Sequence, residues 1–254
     1  MNDDLMLALE LADLADGISL PRFRAADLFV ETKRDLTPVT EADRAVEEAV
    51  RRRLAERRPE DAVVGEEEGL VGATDAAGRW IIDPIDGTKN YVRGIPVFAT
   101  LIAVERQGRL VAGVASAPAM GRRWWAARGE GAFVDGKPIR VSTVRRPEEG
   151  QLLFGGLTTW RRKGRLEEFL SLAATFGRTR GYGDFWMHML VAEGAAEVAT
   201  ELEVKVWDLA AVQLIVEEAG GRFTDLSGES RPDGGSALST NGLLHEHALK
   251  HLTP

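Results

Sequence analysis

The chain has 254 residues and no cysteine, which excludes disulfide staples, thiolate metal sites and a thiol nucleophile. That absence suits a reducing compartment, and the cytoplasm is the expected location. No apolar run approaches the roughly 18 residues that a membrane-spanning helix needs, and the beginning, Met1-Asn-Asp-Asp4, is acidic where a secretory signal would be basic. Neither a span nor a leader is expected. Positive charge is in deficit: the formal net charge is −8, which argues against a general nucleic-acid binder with a basic face. Histidine is scarce, with four in the chain. His245 and His247 are two apart and would not share a helix face, and His188 lies in an apolar helical stretch, so packing or surface roles are expected for them rather than metal ligation. Internal repeats and low-complexity tracts are missing too.

Periodicity predicts helices over residues 3–19 and 40–58, the second with an apolar stripe of Ala42, Val46, Val50 and Leu54. Arg51-Arg-Arg53 and Arg57-Arg58 fall on that helix and are expected on its solvated face. Apolar runs at 97–105 and 110–117, joined by Arg106-Gln-Gly-Arg109, read as a hairpin. Segments 122–127, 132–134 and 137–141 follow, with Asp135-Gly136 as a tight turn, so an antiparallel sheet is predicted. Beyond Pro147, strands at 151–155, around Val198 and at 221–225 alternate with helices at 164–176, 184–194 and from Asp208 onward. At this length one substantial core or two closely apposed halves can form; the expected class is α+β, and the change of pattern near residues 140–150 divides it into 1–145 and 146–254 without a flexible linker.

Acidic residues number 40, and several stand at the ends of apolar strands and helices, where binding groups tend to gather. Trp80-Ile-Ile-Asp-Pro-Ile-Asp-Gly-Thr88 is a short apolar strand that runs into two carboxylates and then a Gly-Thr able to open a helix. Anionic oxygens suited to a hard cation thus stand beside backbone N–H groups suited to a phosphate. Upstream, residues 61–65 form a strand edge that delivers Glu66, Glu67 and Glu68. Downstream, Asp208 sits at the start of a helix. Each piece has a plain structural alternative: a turn at Asp83, a solvated acidic turn at Glu66, an N-cap at Asp208. Thr40 and Asp43 have the spacing of a capping box.

Three blocks in order, Gly65-Glu66-Glu67, Trp80 to Thr88, and Trp207-Asp208-Leu-Ala-Ala followed by Glu218-Ala-Gly-Gly-Arg-Phe-Thr-Asp225, resemble the inositol monophosphatase family of metal-dependent phosphomonoesterases. The resemblance spans most of the chain. It implies a layered α/β/α/β/α sandwich, with an antiparallel sheet in the N-terminal half, a mixed sheet in the C-terminal half and the active site between them. By that resemblance Glu66, Asp83, Asp86 and Asp208 are metal-binding carboxylates, and the carbonyl of Ile85 is a further ligand. Gly87 and Thr88 supply phosphate-binding N–H groups, and the Thr88 hydroxyl positions the attacking water. Asp43 is a partner of Thr88 and Glu66 in orienting that water. Lys33, in the stretch 31–35, corresponds to a mobile loop near an additional, weaker metal, with a solvated loop as the alternative. Two or three Mg²⁺ ions are implied, since crowded carboxylates repel one another unless cations offset them and Mg²⁺ prefers oxygen ligands. Family members are commonly dimers, so a homodimer is expected.

The metal and phosphate residues set the reaction class, whereas other groups read the alcohol. Arg180-Gly-Tyr-Gly-Asp184-Phe-Trp186 departs from the small residues typical of the inositol-specific branch and is similar to the histidinol-phosphatase branch. Glu201, seven before Asp208, holds the spacing of an acidic residue that contacts a substrate hydroxyl in the inositol-specific enzymes. A pocket offering Asp184, Glu201 and Tyr182 suits the ammonium and imidazole of histidinol phosphate. Helix capping by Asp184 and core positions for Tyr182 and Trp186 are the alternatives there. Histidinol phosphate is the preferred substrate. Inositol 1-phosphate, a 3′-phosphonucleotide, and a nonenzymatic role as an RNA or transcription-complex partner remain the other readings.

Overall fold

The computed structural model describes residues 2–33, 36–73 and 76–253. Helix α1 (Asp3–Arg22) and helix α2 (Glu41–Arg57) are separated by a small ladder of β1 (Val30–Thr32) and β2 (Pro38–Thr40). The main sheet takes β3 (Ala62–Gly65), β4 (Gly69–Val71), β5 (Gly78–Asp86), β6 (Ala99–Arg106), β7 (Arg109–Ala117), β8 (Arg122–Ala127), β9 (Gly131–Val134) and β10 (Lys137–Ile139). Among the described residues its order is β10-β9-β8-β7-β6-β5-β3-β4. It is antiparallel except where β3 runs parallel to β5. A second, mixed sheet of β11 (Gln151–Phe154), β12 (Arg178–Arg180), β13 (Val198–Leu202), β14 (Arg222–Thr224) and β15 (Ser236–Thr240) has the order β12-β11-β13-β15-β14. The remaining helices are α3 (Thr88–Val92), α4 (Leu157–Arg162), α5 (Leu166–Ala173), α6 (Asp184–Ala192), α7 (Val206–Glu218) and α8 (His245–Leu252).

Strands β5, β6 and β7 read as continuous apolar runs because both faces of the main sheet are covered. Trp80, Ile82, Ile102, Val104, Ala112 and Val114 pack under α1 and α2. Ile81, Leu101, Ala103 and Ala115 alternate with them and pack under α7. Helix α7 comes so close that a Cβ at Gly113 would lie 3.0 Å from the carbonyl oxygen of Ala211. Helix α6 lies on one face of the second sheet, with Met187 and Val191 against Leu153 and Ala199. Trp160, Phe169, Leu172, Ala248 and Leu252 of α4, α5 and α8 cover the other. The result is the expected five-layer α/β/α/β/α stack, with α6 and α7 between the sheets.

The predicted hairpins form. Gln107-Gly108 and Asp135-Gly136 both take positive φ at the two turn positions, 50° and 73° in one and 50° and 79° in the other, which matches the right-handed twist of the strands they join. The short helix α4, the ladder of β1 and β2, strand β15 and helix α8 were not anticipated. Among the described residues no helix is long and apolar enough to cross a membrane.

Candidate active site

Strand β5 presents its two carboxylates through an irregularity. Residues three apart on a regular strand point to opposite faces. Between Asp83 and Asp86, however, three steps along β5 are matched by two along β6, from Leu101 to Ala99, so one extra residue is accommodated. Pro84 lies inside this bulge, where it has no N–H to give to a ladder, and its carbonyl accepts the Thr100 hydroxyl at 2.8 Å. The extra residue restores phase. One carboxylate oxygen each of Asp83, Asp86 and Asp208 lies within 4.8 Å of the others.

Gly87 then turns the chain into α3 with φ 81° and ψ 34°. A Cβ there would stand 2.9 Å from the Val97 carbonyl oxygen, so the turn needs glycine on both conformational and steric grounds. Thr88 opens the helix, and its N–H is one of those with no carbonyl a turn earlier to bond. Its hydroxyl lies 2.9 Å from the Ile85 carbonyl and 3.1 Å from Asp43 Oδ1. Asp43 helps to cap α2 and also reaches Thr88. Its Oδ2 accepts the Thr40 backbone N–H at 2.8 Å and the Thr40 hydroxyl at 2.5 Å, completing a capping box, while Oδ1 faces Thr88.

Asp208 is not the N-cap of α7. It stands at the third helical position, and its Oδ2 accepts the Lys205 backbone N–H at 2.7 Å. Asp184 likewise does not cap α6. The cap position is Gly183, and Asp86 Oδ2 accepts the Phe185 N–H at 2.7 Å instead, tying β5 to the start of α6. The Asp184 carboxylate is taken by Asn90 Nδ2 of α3 at 2.7 Å, and its backbone holds φ 50°, a conformation that aspartate tolerates better than most residues.

Asp83, Asp86, Thr88, Asp184 and Asp208 line a cleft of about 260 Å³ that also takes in Glu66, Ile85, Gly87, Lys89 and Glu201. Burial raises the carboxyl of Asp83 well above its usual range, reinforced by the charges of Glu66, Asp86 and Asp208. Burial does the same at Asp86, with Asp184 and Asp208 adding to it. Asp208 is pushed up to about 7, by burial first, against the opposing Lys205 N–H. Asp184 is raised to about 6 by burial and then by the charge of Glu201. Asp83 Oδ1 is buried without a hydrogen-bond partner among the described residues. An orphaned anionic oxygen beside two further carboxylates is a donor set that fits a hard cation.

Of the other expected residues, Glu66 reaches the cleft and also pairs with Lys33, whose Nζ lies 2.8 Å from Glu66 and 2.7 Å from Glu67. Arg34 and Asp35 of the same predicted loop lie outside the described residues. Tyr182 is not among the residues lining the cleft. It is 37 % exposed and packs on Trp186 with ring centroids 4.8 Å apart.

Three supports escaped the reading of the sequence. Arg51, expected on a solvated face, is instead turned inward, where it donates to the fully buried Glu47 from Nη2 at 2.7 Å and from Nε at 2.9 Å. Glu47 accepts the N–H groups of Glu67 and Glu68, which fixes the turn carrying Glu66. A Cβ at Gly65 would lie 2.1 Å from Glu47 Oε1, which is why glycine precedes the acidic run. Asn90 is the second support. His188 is the third: its Nε2 lies 3.2 Å from Glu201 Oε1. A buried acid one turn before an arginine inside an amphipathic helix was the one available signal, and it pointed only to an i,i+4 pair.

Comparison with known proteins agrees with this geometry. The profile of the inositol monophosphatase family matches residues 5–253. Histidinol-phosphatases of Mycobacterium tuberculosis and Streptomyces coelicolor are 56 % and 49 % identical to the chain, over 99 % and 98 % of it and 98 % and 97 % of their own lengths. Among solved structures, an extragenic suppressor protein from Bartonella henselae matches with a TM-score of 0.92 at 30 % identity, covering 99 % of both chains. Fold and acidic cleft together define a phosphoric monoester hydrolase of a metal-dependent class. The chain belongs to the inositol monophosphatase family.

Proposed function

We propose that the chain is a Mg²⁺-dependent phosphomonoesterase whose substrate is histidinol phosphate. The gathering of the Asp83, Asp86 and Asp208 oxygens within 4.8 Å, next to the Gly87-Thr88 turn, carries the chemical part of this reading. With Glu66 and the Ile85 carbonyl they would form an all-oxygen set for two ions, and a third, weaker ion on the outer side of Glu66 would have to displace the Lys33 ammonium that lies 2.8 Å from it. Bound Mg²⁺ supplies polarisation of the attacking water and neutralises charge on the leaving oxygen.

The chain's own groups hold and move the rest. Thr88 Oγ1 donates toward Asp43 or Ile85 and keeps lone pairs for a proton from the nucleophilic water, with Glu66 alongside. The N–H groups of Gly87 and Thr88 receive phosphate oxygens at the start of α3. Across the cleft, Asp184 and Glu201 accept hydrogen bonds from the ammonium and imidazole of the alcohol, and Tyr182, packed on Trp186 outside the cleft lining, is given no contact with the ring. The full-length likeness to histidinol-phosphatases supports this substrate over inositol 1-phosphate. In this reading residues 1–145 supply most of the metal ligands, and residues 146–254 supply Asp208 and the specificity groups. The assembly we propose is a cytoplasmic homodimer. Phe29 and Leu36, 55 % and 82 % exposed, are apolar surface that a second copy would cover.

The test is phosphate release with Mg²⁺ from histidinol phosphate, inositol 1-phosphate and adenosine 3′,5′-bisphosphate in parallel. Histidinol phosphate is expected to show the highest kcat/KM. A higher value for either other ester overturns the substrate, and no Mg²⁺-dependent release from any of them overturns the chemistry.

A further inference from the structure

We infer that His188 is a positioning residue that aims Glu201 at the alcohol half of the substrate. This rests on the assignment of Glu201 to the alcohol side, and it gives a specific task to a histidine whose apolar helical surroundings in the sequence mark it as packing or surface.

The imidazole is 1 % exposed and is held at both ends. Its Nδ1 lies 2.7 Å from the hydroxyl of Ser239 on β15, and its Nε2 lies 3.2 Å from Glu201 Oε1 on β13. These strands are neighbours, and Ala199 pairs with Ser239. Glu201 is two residues beyond Ala199, so it projects to the same face of the sheet, where α6 lies. On α6, His188 follows Asp184 by four residues and shares its helix face. One ring thus links the strand that presents one acidic group of the cleft to the helix that presents the other.

The bonding has one consistent arrangement with a neutral ring. Ser239 donates its hydroxyl proton to Nδ1, which leaves the proton on Nε2 to be donated to Glu201. A hydroxyl on one side therefore sets the tautomer that a carboxylate needs on the other. Oε1 is occupied, and Oε2 is left for a ligand. Oε2 lies toward Gly155, where an added Cβ would stand 3.2 Å from it, so the glycine keeps that side open. A glutamate with free rotors would have to give up conformational entropy when substrate binds; one held by His188 has given it up already.

The experiment uses the full chain with Mg²⁺ and compares kcat and KM on histidinol phosphate and p-nitrophenyl phosphate for three variants. His188→Leu removes both nitrogens. His188→Asn keeps a donor only near the Nδ1 position, and His188→Gln places an amide N–H near the Nε2 position. The expected result is that Leu and Asn lose about ten times more kcat/KM on histidinol phosphate than on the aryl ester, mostly through KM, while Gln stays within about threefold of the wild-type preference. In a Glu201→Ala background, His188→Leu should change the preference no further. Equal losses on the two esters, or Gln behaving as Leu does, would overturn the assignment. Should the Leu variant fail to fold, the ¹⁵N resonances of the wild-type ring decide: protonation at Nδ1 alone is incompatible with the proposal. A wild-type enzyme that favours inositol 1-phosphate would overturn the substrate and leave the same Gln-against-Leu contrast to be met on that ester.

Discussion

On one wall of the cleft, Asp83, Ile85, Asp86, Gly87 and Thr88 come from a single short stretch of chain, whereas on the other Asp184 and Glu201 arrive from a helix and a strand that meet only in the folded protein. The first wall is aimed by backbone: a bulge at Pro84 and a left-handed glycine set where the groups point. The second is aimed by side chains, Asn90 holding Asp184 and His188 holding Glu201. Backbone aim suits what every substrate of a phosphomonoesterase shares. Side-chain aim can change with one substitution, which suits the part that differs between substrates.

Asp83→Asn should separate the walls most sharply. It removes a proposed ligand oxygen, and turnover on any ester should fall by about 10³-fold or more. Its metal-free melting temperature should hold or rise, because one of several crowded buried carboxylates is gone. Turnover near that of the wild type would take Asp83 out of the site. Arg51→Ala attacks the first wall from behind: Glu47 keeps the N–H groups of Glu67 and Glu68 but is left buried without its counter-charge beneath the Glu66 turn, at a cost of about 3 kcal/mol read by denaturant unfolding. A loss below about 1 kcal/mol would mean that the pair behaves as a surface one.

Asp184→Asn tests the second wall, since asparagine also tolerates φ 50° and keeps the shape. Its kcat/KM should drop about tenfold more on histidinol phosphate than on p-nitrophenyl phosphate. Equal drops would erase the distinction between the walls. The smallest effect is on pH dependence. Asp208 and Asp184 titrate near 7 and 6 in the folded chain, and Asp83 and Asp86 are raised as well, all for want of solvent and through mutual repulsion. The folded state therefore binds more protons than the unfolded one, and the stability involved is complete below about pH 4 and lost as pH rises through 6 to 7. Metal-free protein should melt lower at pH 8 than at pH 5, and Mg²⁺ should restore more at pH 8. A metal-free melting temperature that climbs over this interval would contradict the crowding.

How much could be read from the chain follows the same division. Asp83, Asp86 and the Gly-Thr turn were legible together because they lie close along one segment, whereas Glu66 and Asp208 were joined to them only by the family resemblance; strand periodicity with two glycine turns delivered the β6–β7 and β9–β10 hairpins of the main sheet. Arg51 was misplaced because helical periodicity shows that a residue leaves the apolar stripe, not whether another element waits there. Here the Glu66 turn does, and the guanidinium donates inward to Glu47 beneath that turn and to the Gly69 carbonyl just beyond it. Tyr182 was assigned to the pocket on its chemistry, but the packing of Trp186 holds its ring elsewhere. The roles of Asp184 and Asp208 at their helices were likewise open to more than one geometry until Asn90 and Lys205 were seen to hold them.

By itself, then, the amino-acid order brought together Asp83, Asp86 and the Gly87-Thr88 turn, the groups that we propose meet a cation and a phosphate, because local backbone geometry follows from Pro84 and Gly87 within a few bonds. Only the tertiary structure decided which distant side chains steady them. Glu47, Asn90 and His188 act across contacts far apart in sequence, and hydrogen bonds of that kind exist only once the layers have closed around them.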